Sequence, residues 1–417
     1  MADIISGKSR FNGNKNAPVH KVVNISGPQN GDELDEQTVK MRVRRHRIKI
    51  AAVMGAVLLI LVVTFFVVRQ VLDNKTYESY GVTDSVSRDD TESAQYMAYN
   101  DGYVRYSNDG IAYFNGSKTA VWNQTYSMQK PQVKICKDKV AVGDINGNVI
   151  YIFDSEGLMG KVDAPLSISQ IEVGKQGVVA VILEDNSANY INMYDSDGDK
   201  IYTVKTTLAG DGYPVDISIS DDGTKLIASY IYVSGESMNT NVVFYNFSDV
   251  GQNETERVVG GFKHYGSTIV GDVQFLTDTA AVAVGENVVT LYKIKEYPSI
   301  DKEIEIDNEI ERVFFDDEYI GLLLNNGDSG ELYKLVVYNL SGKKEFETTF
   351  NTQYNDFQFD GNSIVMNNSS TFTVMNMSGK VITSQNVELP LNSMLATGSR
   401  GKYILINSKY IQSIKLK

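Results

Sequence analysis

The chain has a single cysteine, Cys136, in 417 residues, so no intrachain disulfide can form and the fold must be held by its core. Histidine is almost as scarce. Of the three, His20 and His46 lie in the N-terminal tail and only His264 lies in the large remainder. A Ser-His-Asp triad, a two-histidine zinc site or a haem would all rest on that one residue, and neither C-x-x-C-H nor H-E-x-x-H occurs. Hydrolytic and metal chemistry is therefore disfavoured, and no catalytic residue and no cofactor is expected. His264 in GFKHYGST reads as a solvent-facing loop residue. There is one tryptophan and there are seven prolines, and beyond the first 75 residues no long helical pattern is found.

Against these absences stands one long apolar run, Ile50 to Val68, behind the basic cluster Arg42, Arg44, Arg45, Arg47 and Lys49. At about 1.5 Å per residue it can cross a bilayer, which predicts a membrane-spanning helix over residues 50–72. A cleaved signal peptide fits less well, because the run is long, starts near residue 50 and lacks an A-x-A pattern before Arg69. Residues 1–49 carry ten basic and five acidic side chains, so the positive-inside rule leaves the N-terminus in the cytoplasm and the bulk of the chain outside. The tail reads as disordered to about residue 31. From Asp32 the segment DELDEQTVKMRVRRHRIKI lacks Gly and Pro, and has acids before bases, as a helix entering the membrane would.

Past residue 49 there are 29 basic and 47 acidic side chains, a balance of −18. Such a surface repels nucleic acid. The lipid bilayer, reached through the 50–72 helix, is an expected partner and nucleic acid is not. Residues 73–95 are polar and read as a stalk, with Tyr77 to Ser87 available as a strand that could close a ring.

From residue 96 to 417 short Val, Ile, Tyr and Phe runs alternate with Asn-Gly, Asp-Gly and Ser-Gly turns, the pattern of an all-β domain. A strand ending in Asx, a Ser or Gly turn and a second strand recur as IAYFNGSKTAVW, VIYIFDSEGLMGKV, INMYDSDGDKIYTV, VVFYNFSDVG, VVYNLSGKKEF and FTVMNMSGKVI. Gly116, Gly157 and Gly198 are each 41 residues apart, near the period of a four-stranded propeller blade. Seven copies precede residue 392 and an incomplete one follows, so the expectation is an eight-bladed β-propeller. Seven blades is the alternative, if residues 96–122 and the C-terminal strands share a blade. The fourth copy is stretched at VSGESMNT (233–240) and at 248–267, which marks loops available for recognition.

The repeat is similar to WD-repeat-like and quinoprotein-like propellers, and GTKLIASY after SDD resembles the strand pair of bacterial propeller repeats. The segment MRVRRHRIKI before the span, YSNDGIAYFNG, and the run formed by Trp122, Asn123, Tyr126, Met128 and Pro131 resemble an uncharacterised family of single-span propeller proteins, domain of unknown function 5711. That resemblance implies a bacterial, mostly Gram-positive source and brings no activity. The lone Trp122 does not match the tryptophan-rich quinone enzymes and reads as a core or blade-interface residue.

Asp195, Asp197 and Asp199 in YDSDGDK open like a calcium loop. Glycine then falls at the fourth position and Thr206 at the twelfth, which reads instead as a hairpin turn with Asx side chains bonding the backbone. The expectation is a non-enzymatic binding or scaffolding module of the cell envelope, single-pass, with an envelope protein or glycan as partner. An anchored enzyme using carboxylates at the propeller channel is the alternative. A sensor is disfavoured, because the span has no GxxxG. Proteolysis of intact cells or protoplasts should degrade the chain beyond about residue 75 and spare the basic tail; protection of the β-domain would reverse the assigned orientation.

Overall fold

The computed structural model describes residues 36–417 except 92, 209, 328 and 329; the tail expected to be disordered lies outside them. One α-helix, Glu36–Asp73, contains the apolar run, and residues 40–73 are long and apolar enough to cross a membrane. It begins well before residue 50, as expected for a segment free of Gly and Pro.

The remainder, from Val71 on, is one compact unit of eight four-stranded antiparallel sheets. These are the blades: 95–125, 131–163, 167–207, 213–262, 270–305, 310–350, 356–386, and an eighth that joins 391–416 to Tyr80–Ser87. In seven blades the strands follow sequence order. In the eighth, Tyr80–Ser87 pairs antiparallel with Tyr410–Leu416, matching Tyr80 to Leu416 and Val86 to Ile411. The ring is thus closed by a strand from the far end of the chain, and the eight-blade expectation holds over the seven-blade alternative.

The strand patterns follow from position. Middle strands such as Val179–Glu184 (VAVILE) are buried on both faces because a blade lies on each side, so they read as continuous apolar runs. Outer strands such as Leu158–Asp163 have one face in solvent and alternate. The buried apolar residues form eight clusters, each spanning two neighbouring blades. One joins Ile150 and Ile152 of blade 2 to Ile171 and Val181 of blade 3. Another joins Ile404 and Ile411 of blade 8 to Tyr96 and Tyr103 of blade 1. Trp122 sits at such a seam, its ring stacked 4.7 Å from Phe153 of the next blade.

Two expectations change. The segment read as a stalk is built into the ring. Tyr77 and Tyr80 pack on the blade 7–8 cluster, Tyr77 N donates to Ile382 O at 3.0 Å, and Lys417 N to Ser79 O at 2.8 Å. Its two tyrosines pack into the blade 7–8 seam and Val86 and Ala94 into the blade 8–1 seam, while Val82 stays exposed. The stretch 233–240 is not a loop but the tip of two ten-residue strands, Lys225–Ser234 and Ser237–Asn246, paired to Ser234↔Ser237 around a two-residue turn at Gly235. Ile231, Tyr232 and Val233 are β-branched or aromatic and suit a strand, and the SGES turn supplies the φ > 0 position at Gly235.

Closing the ring leaves a signature beyond backbone pairing. Lys118, in the outer turn of blade 1 and nearly fully buried, binds the Asp84 carboxylate and donates to Ser413 Oγ at 2.8 Å. Removing Tyr403–Lys417 should therefore abolish cooperative folding of the full chain, since two strands of blade 8 and the partner of Tyr80–Ser87 go with it. Circular dichroism melts check this; an unchanged cooperative transition would mean the ring closes otherwise.

Candidate functional site in the channel wall

First strands of neighbouring blades contact one another: Pro131–Cys136, Ser167–Val173, Tyr213–Ile219 and Val270–Thr277 follow one another in this way. These innermost strands form the channel wall. Five of them carry a bulge immediately before one residue, which is Gln170, Asp216, Asp272, Arg312 or Ser393 in blades 3, 4, 5, 6 and 8. The bulge bends the strand and re-aims that side chain.

In blades 2 to 4 this level of the wall is stitched to the next blade. Ile171 N donates to Gln132 Oε1 at 3.0 Å, Gln170 Nε2 donates to Ile217 O at 3.2 Å and to Asp216 Oδ1 at 2.7 Å, and Val273 N donates to Asp216 Oδ2 at 2.7 Å. One turn of the pleat along, Lys134 of blade 2 pairs with Glu172 of blade 3, which also accepts from Gln170 Nε2 at 3.4 Å. With Asp272 of blade 5, three carboxylates and one ammonium thus come from four successive blades of the eight.

Their electrostatics differ with their partners. Burial pushes the Glu172 carboxyl up and Lys134 opposes it; burial likewise raises Asp216, against its bonds from Val273 N and Gln170. Asp272 accepts no hydrogen bond and has no ion pair among the described residues. Burial first, then the Asp216 charge, push it up to about 7, with Lys134 pulling the other way. Its proton is therefore held to higher pH than that of an exposed aspartate.

Chemically, this arrangement offers buried carboxyl groups whose neutral form is favoured by burial. It falls short of a paired-carboxylate active site, because Glu172 is held by Lys134 and Asp216 by two donors, leaving Asp272 as the one uncommitted acid of the three. Among the described residues no group of three or more His, Cys, Asp or Glu is placed to hold a metal ion.

The sequence-derived candidates lie elsewhere. Asp195, Asp197 and Asp199 occupy the outer turn of blade 3, where Asp195 Oδ1 accepts from Asp197 N at 3.1 Å and Asp199 N at 2.9 Å. Neutral sister turns are bonded the same way: Asn376 Oδ1 accepts from Ser378 N and Lys380 N, each at 3.0 Å, and Asn115 Oδ1 from Ser117 N and Thr119 N. The turn is also an inter-blade contact. A Cβ on Gly160 of blade 2 would lie 2.3 Å from Ser196 O, and Gly198, at φ +93°, crowds Lys161 O equally closely. The Asp195 side chain is thus a turn-former. His264 is exposed but not idle: its Nε2 lies 2.8 Å from Glu303 Oε1 and its ring packs 4.1 Å from Tyr265. Cys136 is half-buried; burial, then the Asp221 carboxylate 3.4 Å away, push its thiol up to about 12.

The channel acids were not singled out from sequence. Their signal is a charged residue inside a short first strand otherwise fit for a core: Lys134 in PQVKIC, Glu172 in SISQIEV, Asp216 in YPVDISI and Asp272 before VQFLT.

An eight-bladed ring of four-stranded sheets closed by a shared blade defines a β-propeller. Residues 73–416 match the family of unknown function DUF5711, and the chain belongs to that family. No curated protein sequence matches it. Among solved structures it is similar to BamB from Moraxella catarrhalis, with a TM-score of 0.52, 13% identity, and coverage of 81% of this chain and 100% of that one. It is also similar to Sqt1 from Chaetomium thermophilum, with a TM-score of 0.52, 9% identity, and coverage of 82% and 99%. At such identities the likeness is one of fold.

Because Asp272 is protonated more readily in the folded than in the unfolded chain, its contribution to stability is full below about pH 4 and is lost as pH rises through about 7. Glu172 and Asp216 shift the same way. Asp272→Asn, which mimics the protonated acid, should raise stability at pH 8 by about 1–2 kcal/mol and change it little at pH 5. Denaturant melts at the two pH values check this; an equal effect at both would remove the proton from Asp272.

Proposed function

We propose that this propeller is a non-enzymatic binding or scaffolding module held outside the cytoplasmic membrane by its N-terminal span, with a protein or glycan of the cell envelope as partner. The observation that carries the reading is the hairpin of blade 4. Its sheet neighbours stop pairing at Ile231 on one side and Val242 on the other, so the tip projects as a two-stranded arm. Val233 and Met238, directly paired there, are 72% and 53% exposed. Apolar side chains cross-paired at the tip of an arm that no neighbouring strand supports do nothing for the ring's own stability. They are the kind of surface a partner covers.

The geometry of the ring supports the same reading. Asp73 and Asn74, where the chain enters, are held by the turns of blades 7 and 8: Arg400 Nη1 lies 2.9 Å from Asp73 Oδ1, Asn376 Nδ2 donates to Asp73 O at 3.0 Å, and Lys380 Nζ to Asn74 O at 3.0 Å. Those turns join first to second and third to fourth strands. The arm joins a second strand to a third, and so lies at the opposite end of the ring. Sqt1, of the same fold, was crystallised with the N-terminus of a ribosomal protein, an instance of such a ring holding a segment of another protein. The acidic balance makes a nucleic acid an unsuitable partner.

The enzymatic alternative draws on Asp272, whose proton near neutrality suits an acid-base role. It lacks a second free carboxylate beside it, and so ranks below the binding reading. Cross-linking in intact membranes tests the choice. A neighbour captured by the native chain should be lost in V233D/M238D, whose melting temperature should stay within a few degrees because both sites are exposed. Capture unaffected by the double variant would overturn the role of the arm.

A further inference from the structure

A second feature, independent of the arm, lies between blades 6 and 7. A cavity of about 250 Å³ opens beside the first strand of blade 6, Ile310–Phe315. It is lined by Glu311 and Arg312 together with Tyr333, Phe350, Gln353 and Tyr354. In a regular strand, Glu311 and Arg312 would point to opposite faces. The bulge between Ile310 and Arg312 brings both to one cavity.

Glu311 and Arg312 are both exposed, and Arg312 acts on the protein only at longer range, through the buried Asp356. Among the described residues Glu311 and Arg312 make no ion pair within 4.0 Å, with each other or with anything else, and no side-chain hydrogen bond. Blade 6 shares this with blade 5, where Asp272 after the bulge is likewise unbonded, and differs from blades 3 and 4. At the same place after the bulge, Gln170 and Asp216 are bonded to the backbone of the next blade. On the facing strand of blade 7, Phe357 N donates to the adjacent Asp356 Oδ1 at 3.0 Å. Asp356 is itself pushed up by burial, with Arg312 opposing from beyond ion-pair range.

The remaining walls are aromatic. The rings of Tyr333 and Phe350 are 5.9 Å apart and those of Phe350 and Tyr354 5.6 Å, the second pair edge to face. The Tyr354 hydroxyl is fixed by Thr373 Oγ1 at 2.8 Å, so its ring is held in place. A free guanidinium, a free carboxylate and ring faces in one small space match a molecule with a carboxylate, an ammonium and an apolar group. The guanidinium takes a carboxylate in bidentate fashion, the Glu311 carboxylate takes the ammonium, and the rings take the side chain. The volume lies below the roughly 300–1,000 Å³ of drug-sized pockets, and sets the ligand at the size of one amino acid.

We infer that this cavity is a binding site for a zwitterionic amino acid with an apolar or aromatic side chain, held by Arg312 and Glu311. The experiment uses the full-length protein in detergent. Thermal shift against the twenty L-amino acids is followed by calorimetry with the best binder, its decarboxylated amine and its deaminated acid; for phenylalanine these are 2-phenylethylamine and 3-phenylpropanoate. At least one apolar or aromatic amino acid should bind saturably, and each analogue should bind about tenfold more weakly or worse. Arg312→Gln should lose binding of the amino acid and of the deaminated acid while leaving the unliganded melting temperature unchanged. Glu311→Gln should weaken the amino acid and the amine but spare the deaminated acid. No saturable binder among the twenty, undiminished binding in Arg312→Gln, or equal affinity for the deaminated acid would each overturn the assignment. None of these results depends on the arm of blade 4.

Discussion

The pairing of Tyr80–Ser87 with Tyr410–Leu416 is the constraint on which the rest of the ring depends. No blade has a core of its own. Each buries its apolar faces only against its two neighbours, in eight seams, so a ring open at one point would expose the faces of blades 8 and 1 together. Backbone pairing across some 330 residues of sequence removes that opening, and the buried Lys118 clamps the joint from the adjacent blade. The closing strand is also where the sequence is least strand-like, since YGVTDSVS has one covered face and an outer edge in solvent.

What could be read from the sequence follows from where the physics is local. Blade count came from turns: Asn115, Asp154, Asp195, Asn339 and Asn376 each cap the same backbone geometry, so the chemistry of one side chain recurs at a fixed period. The channel wall was not legible in this way, because Lys134, Glu172, Asp216 and Asp272 belong to three different turns of the repeat in addition to the second blade, and meet only when the ring is assembled. The pair Glu311 and Arg312 was hidden differently. Adjacent opposite charges in a strand normally diverge, and only the bulge, a backbone feature with no residue signature here, turns them to one side. The hairpin arm was located correctly but read as a loop, because excess length in a repeat does not reveal whether the added residues pair.

The distribution of charge around the channel is uneven in a way that the overall acidity conceals. Blades 2 to 5 carry the acids with Lys134 among them, whereas blade 6 presents Arg312 at the level where blade 5 presents Asp272. A uniformly acidic wall would repel itself and hold no preference for position. Lys134 of blade 2 and Arg312 of blade 6 thus flank the acids of blades 3 to 5, and the two signs are separated along the wall.

The joint that closes the ring has a history in time as well as in space. Tyr80–Ser87 follows the apolar helix directly and is among the first segments of the β-domain to be synthesised, whereas Tyr410–Leu416 comes last. At about 5–20 residues per second, the two are separated by roughly 15–70 s of synthesis. Throughout that interval the early strand has no partner and its edge is open to any other strand nearby. The placement of Asp84, Ser85 and Ser87 in it, polar and ill suited to sticking, is what a nascent strand needs if it must wait for its own C-terminus.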